Sequence, residues 1–226
     1  PCIDPRHINK LLVKQDRFPL PLIQELFDKL SKSKWFTTLD LKQAFHRFAI
    51  NPSDCCKTAF THAGRQYQFR HAPFGLAPVS ALVQRVLSSL FHDLDYVTLF
   101  VDDITIGTTD DMVVHAACVK EVLKRLNAAK LILNVEKSHF AQTSINILGF
   151  TLSSVGLTLD ERKVAAVSEW PLPKTGKDIQ RFLGLANYFR THIPKFSDLT
   201  SILDQLRNEA ALQSIWNASH TKAFLN

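Results

Sequence analysis

Two apolar, β-branched runs, Tyr96–Val101 and Ile104–Gly107, are separated by nothing but two adjacent acids, Asp102 and Asp103. Strands this close in sequence pair as an antiparallel hairpin, because a parallel return needs a crossover on the order of a dozen residues. The spacing therefore predicts a hairpin with both acids at its tip. A third acid, Asp40, closes the run Trp35-Phe36-Thr37-Thr38-Leu39-Asp40-Leu41, whose aromatic and β-branched residues also read as a strand. If these strands pair, three carboxylates converge. Crowded like charges are unfavourable without compensation, and hard divalent cations favour carboxylate oxygens while keeping positions open for phosphate. Two such ions roughly 4 Å apart can activate an attacking hydroxyl and stabilise a leaving pyrophosphate. Spacing alone leaves the plainer reading open, in which Asp102-Asp103 is a turn or a helix cap.

Around this centre helices and strands alternate. Residues 21–30 carry apolar positions at helical spacing behind Pro21, which suits a first turn. Lys57–Thr61 reads as a strand after the Asn51-Pro52-Ser53-Asp54 turn, and Gly64 marks a hairpin between Phe60 and Tyr67. Pro78 precedes a helical run from Val79 to Phe91, residues 111–130 return to the same period, and Gly149 separates strand-like pieces at Ile145–Leu148 and Phe150–Leu152. From Asp160 the texture becomes helical, at Glu161–Trp170 and Asp178–His192, with Pro171, Pro173 and Pro194 as punctuation. A boundary near 155–160 thus divides a mixed part from an all-helical part. No internal repeat is visible.

Composition narrows the class. A hydrophobic fraction of 46% supplies an ample core, and no apolar stretch approaches the roughly 20 residues that span a bilayer. The four cysteines, Cys2, Cys55, Cys56 and Cys118, form no CxxC pair, so neither a zinc site nor a disulfide framework is expected, and a reducing, intracellular setting is the simplest inference. A net charge of +6 suits a polyanionic partner without singling out nucleic acid. The chain opens on Pro1 with no Met and no leader pattern, and reads as an excised piece of something longer.

Several short segments carry a family resemblance. Phe100-Val101-Asp102-Asp103 is similar to the reverse-transcriptase box usually written Tyr-x-Asp-Asp, and Leu39-Asp40-Leu41-Lys42-Gln43-Ala44-Phe45-His46 resembles the first palm motif. Cys2 to Lys10 resembles the end of the fingers strand, Arg17-Phe18-Pro19-Leu20-Pro21 the entry to the first helix, and Pro73-Phe74-Gly75-Leu76 the nucleotide-pocket motif. Downstream, Leu133 to Lys137, Ile147-Leu148-Gly149-Phe150 and Arg181 to Arg190 resemble the pattern of Ty3/gypsy-type retrotransposons. The resemblance runs in register along essentially the whole chain.

It implies an α+β fold: a right-hand polymerase palm, an antiparallel sheet with packed helices, followed by a helical thumb. The implied divisions are 1–20 for the end of the fingers, 21–155 for the palm with a fingers insertion around 50–72, 156–208 for the thumb, and 209–226 for the start of the connection that leads to ribonuclease H. Asp40, Asp102 and Asp103 would hold two Mg²⁺, with Mn²⁺ as an alternative and the Leu41 carbonyl as a backbone ligand. Lys137 would be the general acid for pyrophosphate. Phe45 would be the steric gate against a 2′-hydroxyl, Phe74 and Gly75 the floor under the incoming nucleotide, and Gln84 a residue facing the template. Ile147, Leu148 and Gly149 would form the primer grip, and Lys174, Lys177, Arg181 and Arg190 would meet duplex phosphates. The bland alternatives are a core Phe45, a turn at Phe74-Gly75, a solvated Lys137, a hairpin Gly149 and a solvated basic helix face.

The implied activity is RNA-directed DNA synthesis, with a primed RNA or DNA template, dNTPs, and ribonuclease H, protease and integrase as covalent neighbours in a parent polyprotein. The parent element would work in a cytoplasmic virus-like particle, away from any membrane. Two departures matter: Phe100 replaces the usual Tyr, and Pro78 is displaced within Ala77-Pro78-Val79-Ser80-Ala81, which puts the helix entry and nucleotide binding in question. With the basic fingers hairpin expected before Pro1, this stretch alone is expected to polymerise poorly or not at all, whatever the activity of the parent polyprotein. The rival function is a degenerate or domesticated palm and thumb that binds nucleic acid without synthesis.

Overall fold

The computed structural model describes residues 3–12 and 18–225. Cys2 and Arg17, which open two of the motifs above, lie outside the described residues. The chain divides into two compact units, residues 1–147 with 151–157, and residues 148–150 with 158–226.

The first unit is built on a four-stranded sheet of order β4-β5-β1-β6, formed by β1 (Trp35–Leu41), β4 (Val97–Phe100), β5 (Asp103–Thr108) and β6 (Leu133–Gln142). All its pairings are antiparallel. Alternation along β1 sends Thr37, Leu39 and Leu41 to one face and Phe36, Thr38 and Asp40 to the other. The first face packs against α3 (Ala77–Phe91) and α4 (Met112–Ala128), with Leu39, Leu41, Ile104 and Ile106 joining Val83, Leu87, Val122 and Leu126 in one buried cluster. On the opposite face α2 (Ile23–Leu30) covers the far end of the strands. A Cβ added to Gly107 would lie 2.6 Å from Leu30 Cδ2 and 2.5 Å from Ser33 Oγ, so glycine is what permits that approach.

Several local expectations change. The strand expected across Cys2–Lys10 is a helix, α1 (Arg6–Leu11), because the Asp4 carboxylate accepts the Arg6 amide at 3.1 Å and Pro5 presets the turn. Pro21 lies outside α2, whose cap is Leu22. Lys57 and Thr58 are not strand: Asn51 accepts the Ser53 amide, Pro52 enters the first turn, and a 3₁₀ helix runs Pro52–Thr58. Only from β2 (Phe60–His62) does extended chain begin, paired with β3 (Arg65–Tyr67) through Ala63 and Gly64, both at positive φ. Pro78 does not precede α3 but sits inside its first turn, where a missing N–H forfeits no helical bond.

A three-stranded sheet follows, β7 (Ser144–Ile147), β8 (Phe150–Ser153) and β9 (Gly156–Leu159), in sequential order. The second unit is mainly helical, with α5 (Glu161–Ser168), α6 (Gly176–Tyr188), α7 (Phe196–Asp204) and α8 (Ala218–Leu225). Thr175 and Asp178 form a reciprocal capping box at the start of α6. Its apolar stripe, Ile179, Phe182 and Leu183, meets Leu203, Leu206, Leu212 and Phe224. Residues beyond 208 therefore pack into the same core as α6. Among the described residues no helix is long and apolar enough to cross a membrane.

Candidate active site

The register of the sheet decides where the acids lie. Asp40 is paired across β1 and β5 with Asp103, and directly opposed residues of an antiparallel pair project to the same face. Their neighbours Leu39 and Ile104, also opposed, are in the helix-covered core. The two carboxylates therefore stand on the other face, at the end that α2 leaves uncovered. Asp103 opens β5, and Asp102 occupies the turn beside it, between Phe100 and Asp103, which are themselves paired. So the hairpin tip is Val101-Asp102, and Asp103 is the first strand residue.

Partial burial pushes the Asp103 carboxyl above its ordinary range, and the negative charges of Asp102 and Asp40 push it further in the same direction. The three acids are thus electrostatic neighbours. Among the described residues none of them takes part in an ion pair. Nor do the described residues contain a ready-made cage, since no group of three or more His, Cys, Asp or Glu side chains is arranged to hold an ion unaided. An uncompensated acidic cluster without a closed cage fits a hard cation that draws its remaining ligands from a phosphate-bearing substrate.

The turn itself is under tension. Val101 has φ 58, a region that β-branched residues rarely enter, and its amide donates to Gln84 Oε1 at 2.6 Å. Gln84 is only 3% exposed and its amide nitrogen lies 3.5 Å from Ser88 Oγ. This revises the expectation that Gln84 faces a template: from α3 it reaches inward and holds the acid-bearing turn. Sequence offered no sign of it beyond a polar residue on the buried stripe of a helix.

On the other side of β1, the pairing with β6 is interrupted. Thr38 meets His139 but Asp40 meets Asn134, so Val135–Ser138 bulge out between them, and Lys137 is exposed on that bulge. Ser138 closes the gap: its Oγ accepts the Asp40 amide at 3.2 Å and donates to the Asn134 carbonyl at 2.7 Å. Leu41, whose carbonyl was the expected backbone ligand, is a buried strand residue opposite Leu133. Beneath the sheet lies a group the sequence did not announce. His115 of α4 is 1% exposed and bridges Thr37 of β1 at 2.8 Å and Thr108 of β5 at 2.9 Å. Thr37 Oγ1 also accepts the Ala141 amide at 3.0 Å. One neutral imidazole thus ties together both strands that carry the acids.

Beyond β1 the chain turns through Gln43, at φ 53, into a 3₁₀ turn at Ala44–Arg47. Phe45 on that turn meets the half-exposed Phe74 edge to face at 5.1 Å, and His46 meets the same ring at 5.0 Å while its Nδ1 bonds the Ala72 carbonyl. Gly75 follows at φ 87 in the loop before α3. In the second unit Leu148 and Gly149 form the β7–β8 turn, both at positive φ. The Leu148 carbonyl accepts from Tyr188 at 2.7 Å, and Gly149 faces the Phe189 ring. Ile147 is the last, buried residue of β7.

Comparison with known proteins points one way. The family model described as reverse transcriptase (RNA-dependent DNA polymerase) matches residues 1–152. The chain is 34% identical over 206 residues to the retrovirus-related Pol polyprotein from transposon opus of Drosophila melanogaster, covering 90% of this chain and 20% of that protein. It is 33% identical over 226 residues to the transposon Tf2-3 polyprotein of Schizosaccharomyces pombe, covering 99% of this chain. The chain therefore spans 17–20% of these curated relatives. Among solved structures, the foamy viral protease-reverse transcriptase in complex with an RNA/DNA hybrid superposes with a TM-score of 0.87 at 26% identity, over 98% of this chain and 30% of that one. A foamy viral protease-reverse transcriptase form bound to double-stranded DNA gives 0.90 at 26% identity, over 99% and 39%.

Proposed function

The chain belongs to the reverse transcriptase family, and from that membership we propose that it is the catalytic part of an RNA-directed DNA polymerase from a Ty3/gypsy-type retrotransposon polyprotein. The supporting observation is the open-face cluster of Asp40, Asp102 and Asp103, uncompensated by any cation of the chain among the described residues. Divalent ions, Mg²⁺ in the cell and Mn²⁺ as a substitute, would supply charge neutralisation at a primer 3′-hydroxyl and at the phosphates of a dNTP. Asp40 and Asp102 are the residues that would bind them, with Asp103 and the Leu41 carbonyl beside them. Phe45 and Phe74 would bound the nucleotide sugar, Gly75 would let the loop approach it, and Lys137 would be the general acid for the leaving pyrophosphate. Gln84 acts indirectly, by holding the Val101 turn.

In this reading residues 1–20 close the fingers, 21–155 are palm with a fingers insertion around 50–72, 156–208 are thumb and 209–226 begin the connection. Ile147, Leu148 and Gly149 would grip the primer strand. The partners are a primed RNA or DNA template and dNTPs, with ribonuclease H, protease and integrase in the same polyprotein, in an intracellular particle. Binding without synthesis is the weaker reading, since it leaves the crowded acids without a task.

Primer extension tests the proposal. Asp102→Asn is expected to lower nucleotide incorporation by about 10² or more, because preorganised charge stabilisation of that size is lost with one group, while the thermal midpoint stays at or above wild type. Extension by the variant at the wild-type rate would refute the metal assignment.

A further inference from the structure

A residue distant in sequence is hydrogen-bonded to the loop that carries Phe74 and Gly75. Asn9, in α1, donates from its side-chain nitrogen to the Gly75 carbonyl at 2.8 Å and accepts the Ala77 amide on its side-chain oxygen at 2.9 Å. Both bonds come from one planar amide and reach a loop 66 and 68 residues further along the chain. Two energetic demands of that loop are met at once.

The first is the helix start. Ala77 is the first residue of α3, and its cap position, Leu76, has no side chain that could accept an amide. With Pro78 next, no N–H follows at that position, and Asn9 supplies the acceptor that a local Ser, Thr or Asp would normally give. The displaced proline is thereby accommodated by a cap from another element. The second demand is conformational. Gly75 sits at φ 87, and a Cβ there would lie 2.8 Å from Pro5 Cγ. Pro5 and Asn9 thus hold the glycine from one side, by contact and by hydrogen bond. The same loop carries the Phe74 ring, which packs against Phe45 and His46.

We propose that Asn9 is a positioning residue for the incoming nucleotide: it fixes the Phe74-Gly75 loop as a rigid floor, so that removing it weakens nucleotide binding more than it weakens the fold. The proposal rests on the polymerase reading above. Its substitutions separate the two bonds. Asn9→Ala deletes both, whereas Asn9→Asp keeps an acceptor for Ala77 and sets a carboxylate against the Gly75 carbonyl.

The test combines amide hydrogen exchange of residues 73–80 with steady-state primer extension on a primed template at varied dNTP. For Asn9→Ala we expect faster exchange in that segment, a KM for dNTP raised about tenfold, kcat within about threefold of wild type, and a thermal midpoint within a few degrees. For Asn9→Asp we expect the Ala77 amide to stay protected while KM still rises. Unchanged exchange, or faster exchange with an unchanged KM, would overturn the proposal. So would a fall in kcat and thermal midpoint together at constant KM, the mark of a merely structural residue. Primer extension is read on the parent polymerase that carries the fingers; if that extends no primer, the polymerase reading fails, and the exchange data alone decide whether Asn9 clamps the loop.

Discussion

Val101 and Gln84 show how one side chain can stabilise a conformation that its neighbour resists. A β-branched residue at φ 58 costs on the order of 1–3 kcal/mol, and the structure around it must make up the difference. Here a buried carboxamide accepts the strained residue's amide. Gln84→Met keeps the shape but leaves that amide without its acceptor. We expect a loss of about 1–3 kcal/mol in urea-unfolding stability, together with a kcat decrease, since the turn sets the place of Asp102. A variant as stable as wild type would show that the bond contributes nothing net. His115 gives a second residue-scale test. Burial lowers its pKa below 6.5, so the unfolded chain takes up a proton more readily than the folded one. Stability is then full above the unfolded value and falls as pH drops below it. A stability profile measured between pH 7.5 and 5 should decline in wild type and flatten in His115→Gln. Equal slopes would exclude His115 as the source.

At the scale of elements, what could be read from sequence follows the regularity of the pattern. β1 carries an unbroken aromatic and β-branched run, and its bounds are those expected, Trp35–Leu41. The Phe60–Tyr67 hairpin was equally plain from its glycine. β6 was invisible as a strand because Glu136, Lys137 and His139 interrupt its alternation and two register shifts break its period. α1 was misread because its start is set by Pro5 and by the Asp4 carboxylate accepting the Arg6 amide, which periodicity does not register. The three acids were legible as types at strand ends. Gln84, Ser138, His115 and Asn9 were not, since each acts through a partner distant in sequence. α6 offers an element-scale prediction. A Cβ on Gly176 would lie 2.4 Å from the Arg207 carbonyl oxygen and 2.7 Å from that of Leu206, both backbone atoms that cannot swing away. Gly176→Ala should therefore cost about 1–3 kcal/mol through forced backbone movement, despite alanine's better helix propensity. An unchanged or higher unfolding midpoint would show that the Leu206–Arg207 backbone yields freely.

For the whole molecule, the net charge of +6 sets how a polyanion would be held. A copying enzyme must accept any sequence, so its affinity has to come from backbone phosphates and duplex shape rather than base edges. Lys174, Lys177, Arg181 and Arg190, around α6, are all exposed, but they are not equivalent: Arg181 shares its charge with Asp178 at 3.6 Å, whereas the others have no such pairing among the described residues. Each phosphate neutralised contributes about −0.9 to the slope of log affinity against log salt for duplex DNA. Binding of a primed template should thus weaken by about 10²-fold between 50 and 200 mM salt if about four contacts form. The double substitution Lys174→Ala and Lys177→Ala should reduce the slope by about two, and by the same amount for templates of unrelated sequence. Asp102→Asn should leave the slope without that loss, because its charge repels phosphate rather than binding it. A salt-independent affinity, or a slope that changes with template sequence, would contradict backbone recognition through this helix.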